Sequence, residues 1–327
     1  MKREPRCFNS QSWIAGVLWV DELSNTTCTA RSGGTLSSIT SRNLRKCRAE
    51  CACCGRTSSG RNSWRCVGAY DQNMSATLDQ FSLSGRVAIV TGASSGLGER
   101  FARALADAGA TVVAAARRLD RLELLARKVK EVVPIRADLL LADDRAALVA
   151  AALERFGRID VLVNNAGGGS ATTALTEPIE DFRRNLELNL VATFDLCQRV
   201  APHMIEAGRG SIINIASVLG LGSSWPIPNG SYTASKGAVV NLTRELGCQW
   251  ARRGVRVNAL APGFFPSEAM QGMIDDEGAT KMMRANCPIG RYGEVHELDG
   301  ALLFLASDAS TYCTGQILAI DGGWTAR

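Results

Sequence analysis

Residues 86–105, RVAIVTGASSGLGERFARAL, hold the pattern that decides the fold. Arg86–Val90 is a short apolar run ending in a glycine-rich turn; Phe101, Leu105 and Ala108 then recur at helical spacing until Gly109 stops the helix. The same alternation repeats along the chain. Thr111–Ala116 precedes an amphipathic Leu119–Lys130, Val132–Arg136 precedes Asp143–Phe156, and Val161–Val163 precedes Phe182–Ala207. Ser211–Ile215, Tyr232–Arg252, Arg256–Leu260, Glu294–Ala306 and Gln316–Ile320 complete the series. Seven strands alternating with six long helices predict an α/β fold: a parallel sheet with helices on both faces. Right-handed crossovers make it doubly wound, with ligands gathered at the carboxyl ends of the strands. The alternation is unbroken, so residues 79–327 are expected to be one domain.

Outward from this region the chain divides. It has 327 residues, 46% hydrophobic and 21% charged, with 32 Gly and 9 Pro. That composition excludes a mainly disordered, collagen-like or repeat protein. No apolar run approaches the roughly 18 residues of a membrane-spanning helix, so a soluble protein with no membrane partner is expected. Residues 1–73 carry 11 Lys and Arg against 5 Asp and Glu, whereas the rest carries 26 against 27. The net charge of +5 therefore belongs to the N-terminal segment, and no nucleic-acid partner is expected.

Seven of the eleven cysteines (Cys7, Cys28, Cys47, Cys51, Cys53, Cys54 and Cys66) also fall before residue 74. Up to about residue 78 no sustained periodicity is found. A secretory signal needs an apolar core of at least ~7 residues, and Trp13–Val20 runs straight into Asp21-Glu22. Arg and Ser suit an organellar transit peptide, but Glu4, Asp21 and Glu22 do not. A zinc-binding interaction module on Cys47, Cys51, Cys53 and Cys54 would have no His nearby. Met74 opens MSATLDQFSLSGRVAIVTG, which reads as a natural beginning. Residues 1–78 are therefore expected to be a disordered extension or an upstream start, with no metal. Cys197, Cys248, Cys287 and Cys313 are widely spaced among apolar neighbours and read as reduced thiols of a cytoplasmic protein.

The turn TGASSGLG, Thr91–Gly98, comes directly after the first strand. Gly92, Gly96 and Gly98 permit positive φ and close backbone approach, and the helix that follows offers unpaired N–H groups to a pyrophosphate. The spacing differs from G-x-G-x-x-G, and glycines also serve tight turns for steric reasons alone. The position after strand one favours a dinucleotide. The acid that grips the ribose 2′-OH of NAD at the end of strand two is missing: Ala116 stands there, followed by Arg117-Arg118. A guanidinium suits a 2′-phosphate, which favours NADP(H) over NAD(H) with Arg117 as the phosphate partner.

In YTASK, Tyr232 and Lys236 are four apart and share a helix face. An ammonium beside a phenol favours phenolate and would bring a pKa of about 10 towards neutrality, making Tyr232 a credible acid/base. Ser217 follows the apolar run SIINIA, where its hydroxyl can meet a substrate carbonyl. Asn189 is a polar residue in the apolar stretch LELNL, a place that a satisfied core amide also fills.

Together these residues resemble the short-chain dehydrogenase/reductase family over Ser84–Trp324. The matching pieces are TGASSGLG, Asp138 in ADLL, the run Asn164-Asn165-Ala166-Gly167, Asn189, Ser217, Tyr232-x3-Lys236, Pro262-Gly263 and the terminal GQILAIDGGW. The resemblance implies a single Rossmann-type domain and a set of roles. Tyr232 would transfer the proton, Ser217 would orient the substrate oxygen, Lys236 would hold the nicotinamide ribose, and Asn189 would order a relay water. Gly92, Ser94, Ser95, Gly96, Leu97 and Gly98 would cradle the cofactor. Asp138 and Leu139 would meet the adenine, Asn165, Ala166 and Gly167 the ribose side, and Pro262-Gly263 the nicotinamide. The resemblance also implies a homodimer or homotetramer, packed through the helices Phe182–Ala207 and Tyr232–Arg252.

Two features depart from the family pattern. Ser217 and Tyr232 are 15 apart where about 13 is commoner, which enlarges the loop carrying Trp225 and Pro226 over the substrate. FFPSEAM lacks the usual Thr, with Ser267 as the nearest substitute. His203 and His296 match no catalytic position and read as surface residues. Expected is an NAD(P)-dependent oxidoreductase interconverting a ketone and a secondary alcohol. The substrate is a small carbonyl compound, either an acyl thioester of the 3-oxoacyl-acyl-carrier-protein type or a sugar acid of the gluconate 5-dehydrogenase type. A catalytically inactive nucleotide-binding regulator would lack Tyr232 or Lys236, and both are present.

Overall fold

The apolar run VAIVT forms strand β1 (Val87–Thr91), all five residues buried. The computed structural model describes residues 28–32, 35–39, 76–169 and 171–326. Helix α1 (Gly96–Asp107) follows, then β2 (Thr111–Ala116), α2 (Leu119–Lys128), β3 (Val132–Arg136), α3 (Ala142–Phe156) and β4 (Val161–Asn164). The second half contains α4 (Ile179–Leu186), α5 (Ala192–Glu206), β5 (Gly210–Ile215), α6 (Gly230–Trp250), β6 (Val255–Pro262), α7 (Gln271–Ile274), α8 (Glu277–Asn286), α9 (Asp299–Ala306) and β7 (Ile317–Ile320). The seven strands pair in parallel in the order β3-β2-β1-β4-β5-β6-β7. This is the doubly wound Rossmann-type sheet expected.

The period of two in the strands sorts the core onto two faces. Ala88 and Val90 of β1 with Val112 and Ala114 of β2 pack against Phe101, Leu105, Leu122, Leu302 and Leu305. Val87, Ile89, Val113 and Ala115 point the other way, against Leu148, Leu196, Val200, Met204 and Leu246. Chain order reverses between β1 and β4, so their carboxyl ends open the crevice in which such sheets bind ligands.

Two regions differ from the sequence reading. The stretch 182–207 is not one regular helix: a π-helical segment, Glu187–Val191, joins α4 to α5. Its wider turn is centred on Asn189, whose side chain is drawn out of the helix face to bond elsewhere. The loop after β6 contains two helices, α7 and α8, that apolar periodicity did not reveal.

The chain divides into two units, Met1–Met74 and Ser75–Arg327. Within the first unit Cys28–Ser32 pairs antiparallel with Thr35–Ile39, Ser32 opposite Thr35. This hairpin was not expected, although the intervening Gly33-Gly34 is a dipeptide that two-residue hairpin turns favour. Trp13–Val20 and the four clustered cysteines lie outside the described residues.

Candidate active site

Two adjoining cavities run along the carboxyl ends of the strands. The smaller, about 280 Å³, lies beyond β2 and β3 and is lined by Ser94, Ser95, Arg117, Arg118, Asp138, Leu139 and their neighbours. The larger, about 570 Å³, runs from Gly92–Gly98 over Asn165–Gly169 to Ser217, Tyr232, Lys236 and Pro262-Gly263. Sequence-expected cofactor residues thus line one or both cavities, and Asn189 stands immediately behind the Gly167-Gly168 wall.

The first wall is built by the glycine turn. Gly92 has φ +67°, and a Cβ there would lie 2.9 Å from both Ala166 Cα and Asn165 Nδ2. Thr91, buried at the end of β1, ties this wall together: its hydroxyl accepts the N–H groups of Asn165 and Ala166, both at 3.0 Å. Asn165 Nδ2 donates back to the Thr91 carbonyl at 2.9 Å. Asn165 therefore locks the glycine turn to β4 as well as lining the cleft. A Cβ on Gly167 would stand 2.9 Å from Asn189 Oδ1 and 3.2 Å from Lys236 Nζ. These are cradles of bare backbone, and they fit a dinucleotide lying along them with α1 pointing its N-terminus at the pyrophosphate.

Helix α6 carries both candidate acid/base residues. Lys236 is 4% exposed; its ammonium donates to the Ile215 carbonyl at 2.7 Å. Ser217 follows β5, accepts the Leu219 N–H at 3.1 Å, and hydrogen-bonds the Tyr232 phenol. Asn189 is buried and fully engaged. Its Oδ1 accepts the Gly168 N–H at 2.9 Å, and its Nδ2 donates to the Gly168 carbonyl at 2.8 Å and to Ser235 Oγ at 2.9 Å. Ser235 in turn donates to the Tyr232 carbonyl at 2.7 Å. One carboxamide thus pins the Gly168 loop and the first turns of α6 to each other.

The expected lowering of the Tyr232 pKa is not found. Burial pushes the phenol above its ordinary value, and the hydrogen bond from Ser217 only partly opposes it. Burial also brings Lys236 down from 10.5 to about 8. The ammonium lies 5.7 Å from the ring centroid and is engaged by the Ile215 carbonyl.

Several contributors gave no sequence signal: Thr91 and Ser235, which hold the walls, and Glu268, which reaches Arg118 and Arg121. Arg118, not Arg117, bonds the glycine turn, donating to Ser94 at 3.1 Å and Ser95 at 2.7 Å. Arg117 is exposed in the cleft. Ser267 faces Gly96, where a glycine Cβ would lie 3.3 Å from its Cβ. His203 and His296 are exposed and line neither cavity. Among the described residues no cluster has the makings of a metal site, and Cys197, Cys248, Cys287 and Cys313 are free. None of the described helices is long and apolar enough to cross a membrane.

A doubly wound sheet, a glycine cradle and a buried Tyr–Lys pair beside a serine define a dinucleotide-dependent oxidoreductase site. A family profile described as enoyl-(acyl carrier protein) reductase matches residues 92–325. Gluconate 5-dehydrogenase of Gluconobacter oxydans is 42% identical over 258 residues, covering 76% of this chain and 97% of that protein. 3-Oxoacyl-[acyl-carrier-protein] reductase of Thermotoga maritima is 36% identical over 245 residues, covering 74% and 98%. Among solved structures, a gluconate 5-dehydrogenase from Burkholderia cenocepacia in complex with NADP and tartrate superposes with a TM-score of 0.73 at 38% identity, covering 76% of this chain and 99% of that one. The chain belongs to the short-chain dehydrogenase/reductase family. It is an NAD(P)-dependent oxidoreductase acting on CH–OH/C=O groups.

Proposed function

We propose that the chain interconverts a polyhydroxy keto acid and its secondary alcohol, in the manner of a gluconate 5-dehydrogenase, with NADP(H) favoured over NAD(H). The observation that carries the substrate class is Asn229. Asn is a preferred helix N-cap, yet at the start of α6 its side chain makes no capping bond. Its buried Oδ1 has no partner among the described residues, and Asn229 belongs to the wall that also carries Ser217, Ser224 and Tyr232. A buried acceptor without a donor is costly in a native fold, and a substrate hydroxyl would satisfy it. A long acyl chain would not.

A bound nicotinamide would supply or accept the hydride. The chain's own residues do the remainder: Ser217 orients the substrate oxygen, and Tyr232 gives or takes the proton at that oxygen. Lys236 holds the ribose hydroxyls, and Asn189 fixes the loop at Gly168 and orders a relay water beside Lys236. Gly92–Gly98, Asn165–Gly167 and Pro262-Gly263 hold the cofactor backbone, Asp138 and Leu139 the adenine, and Arg117 the 2′-phosphate. Exposed Val191 and Phe194, at the start of α5, support a homo-oligomer packed on that face. Free thiols, including exposed Cys248, suit a cytoplasmic location.

The test is NADPH consumption against a panel containing 5-ketogluconate and acetoacetyl thioesters. Turnover of the sugar acid supports the reading; turnover confined to thioesters replaces it. For the cofactor, Arg117→Asp should lower the ratio of kcat/KM for NADPH over NADH.

A further inference from the structure

Glu268 opens a 3-10 turn in the loop after β6, yet its partners belong to the opposite side of the crevice. Its Oε2 lies 2.9 Å from Arg118 Nη2, its Oε1 pairs with Arg121, and it hydrogen-bonds Ser95. The sheet order puts β1, β4 and β5 between β2 and β6. A contact from the end of β6 to the start of α2 therefore bridges four strand spacings, about 19 Å. It passes over the ground where the glycine turn meets the cleft. Both arginines hold the carboxyl of Glu268 down at about 2, so it is a full anion.

Arg118 is pulled three ways. It donates to Ser94 and Ser95 of the glycine turn and pairs with Glu268, while lining both cavities. Arg117, beside it, has no ion-pair partner among the described residues, and neither has Arg184, which lines the same smaller cavity. A ribose 2′-phosphate bound at the end of β2 would meet an arginine cluster that already contains a carboxylate.

We propose that Glu268 is a cofactor-specificity residue: it occupies the guanidinium cluster that a ribose 2′-phosphate requires, and so holds the preference for NADP(H) below what the arginines alone would give. The inference rests on the dinucleotide reading of the cleft. If Glu268 stays in place, it repels the phosphate dianion; if it swings away, its two ion pairs are lost. Both routes weaken the phosphorylated ligand and leave the unphosphorylated one alone. Glu268 touches nothing that reacts, so its effect is on choice of cofactor and not on the proton transfer.

The test is calorimetric titration of the full chain and its Glu268→Gln variant with 2′,5′-ADP and with 5′-AMP. Gln keeps the shape but removes the charge, and only its amide oxygen can still accept from an arginine. Expected is a roughly three- to tenfold tighter binding of 2′,5′-ADP, with 5′-AMP changed less than about twofold. The difference should shrink as salt is added. Glu268→Asp, which keeps the charge, should bind 2′,5′-ADP no more tightly than the wild type. Equal changes for the two ligands, or weaker binding of 2′,5′-ADP by the Gln variant, overturn the proposal. If neither chain binds either ligand, the dinucleotide reading falls, and the proposal with it.

Discussion

The ammonium of Lys236 lies 5.7 Å from the centroid of the Tyr232 ring, over its face, while donating to the Ile215 carbonyl at 2.7 Å. Spacing on a helix brings these two residues to one side but does not decide where the charge points. Here β5 takes the proton-bearing end of Lys236, and Ser217 is the group that meets the phenol. The phenol of the free chain is consequently a weak acid, suited to protonating an alkoxide and poorly suited to carrying charge before substrate arrives.

Tyr232→Phe keeps ring and packing but removes the hydroxyl that Ser217 meets in the cavity. A loss of at least ~100-fold in kcat is expected, the usual worth of general acid catalysis, with cofactor affinity little changed. Steady-state kinetics and a cofactor titration on the purified variant check it. Turnover close to wild type would remove Tyr232 from the mechanism.

Burial of Lys236 makes stability depend on pH. In the folded chain it titrates near 8, against 10.5 for an ordinary lysine. Below that window both states are charged and the burial penalty is present in full. Between the two values the unfolded chain binds a proton that the folded chain does not, so this residue's contribution to stability rises with pH. The full effect is on the order of 3 kcal/mol at most. Cys197, which burial holds at about 12, works in the opposite direction but is common to wild type and Lys236→Met. Urea unfolding of ligand-free chains should show the wild type gaining on Lys236→Met as pH rises through this window. A pH-independent difference would contradict the shift.

Asn189 and Ser235 form one unit with Gly168 and the Tyr232 carbonyl. Asn189→Ala takes away the partners of the half-buried Gly168 N–H and carbonyl and of Ser235, and a loss of about 1–3 kcal/mol in unfolding free energy is expected. Ser235→Ala should cost less, and the double variant less than the sum, because the two share a bond. Additive losses would show that the residues act independently.

The fold was legible because β1, β2, β4, β5 and β6 are almost wholly buried runs of the right length, and because Gly92 and Gly109 punctuate the first of them. The residues of the site were legible as types at fixed offsets, Tyr232 and Lys236 above all. What pattern could not give is direction and partner. Asn189 looks like any core amide until the π-helical turn is seen to aim it at Gly168. Arg117 and Arg118 are adjacent and alike in sequence, but only Arg118 turns back onto Ser94 and Ser95. Helices α7 and α8 escaped because each shows little buried apolar surface, with Met283 the one fully covered side chain of α8. Glu268 gave no signal at all, since its partners lie about 150 positions back along the chain.

The last expectation concerns residues 1–73. The family match begins at residue 92, and relatives covered almost end to end account for about three quarters of this chain. Among the described residues, every member of the core clusters lies at Leu83 or beyond. Among the described residues, the seven-stranded sheet, its two helical layers and the lining of both cavities belong to Ser75–Arg327. The sequence of residues 1–73 shows no sustained apolar periodicity, and a segment without it has little to offset the roughly 1–2 kcal/mol per residue that ordering a backbone costs. Its positive charge would then matter only for weak contacts that salt removes. A chain beginning at Met74 should fold, assemble and turn over as the full chain does, with a melting temperature within about 2 °C. Thermal melts, sizing and NADPH kinetics on both chains check this. Aggregation of the shorter chain, or loss of an activity that zinc restores to the longer one, would make the N-terminal segment part of the working structure.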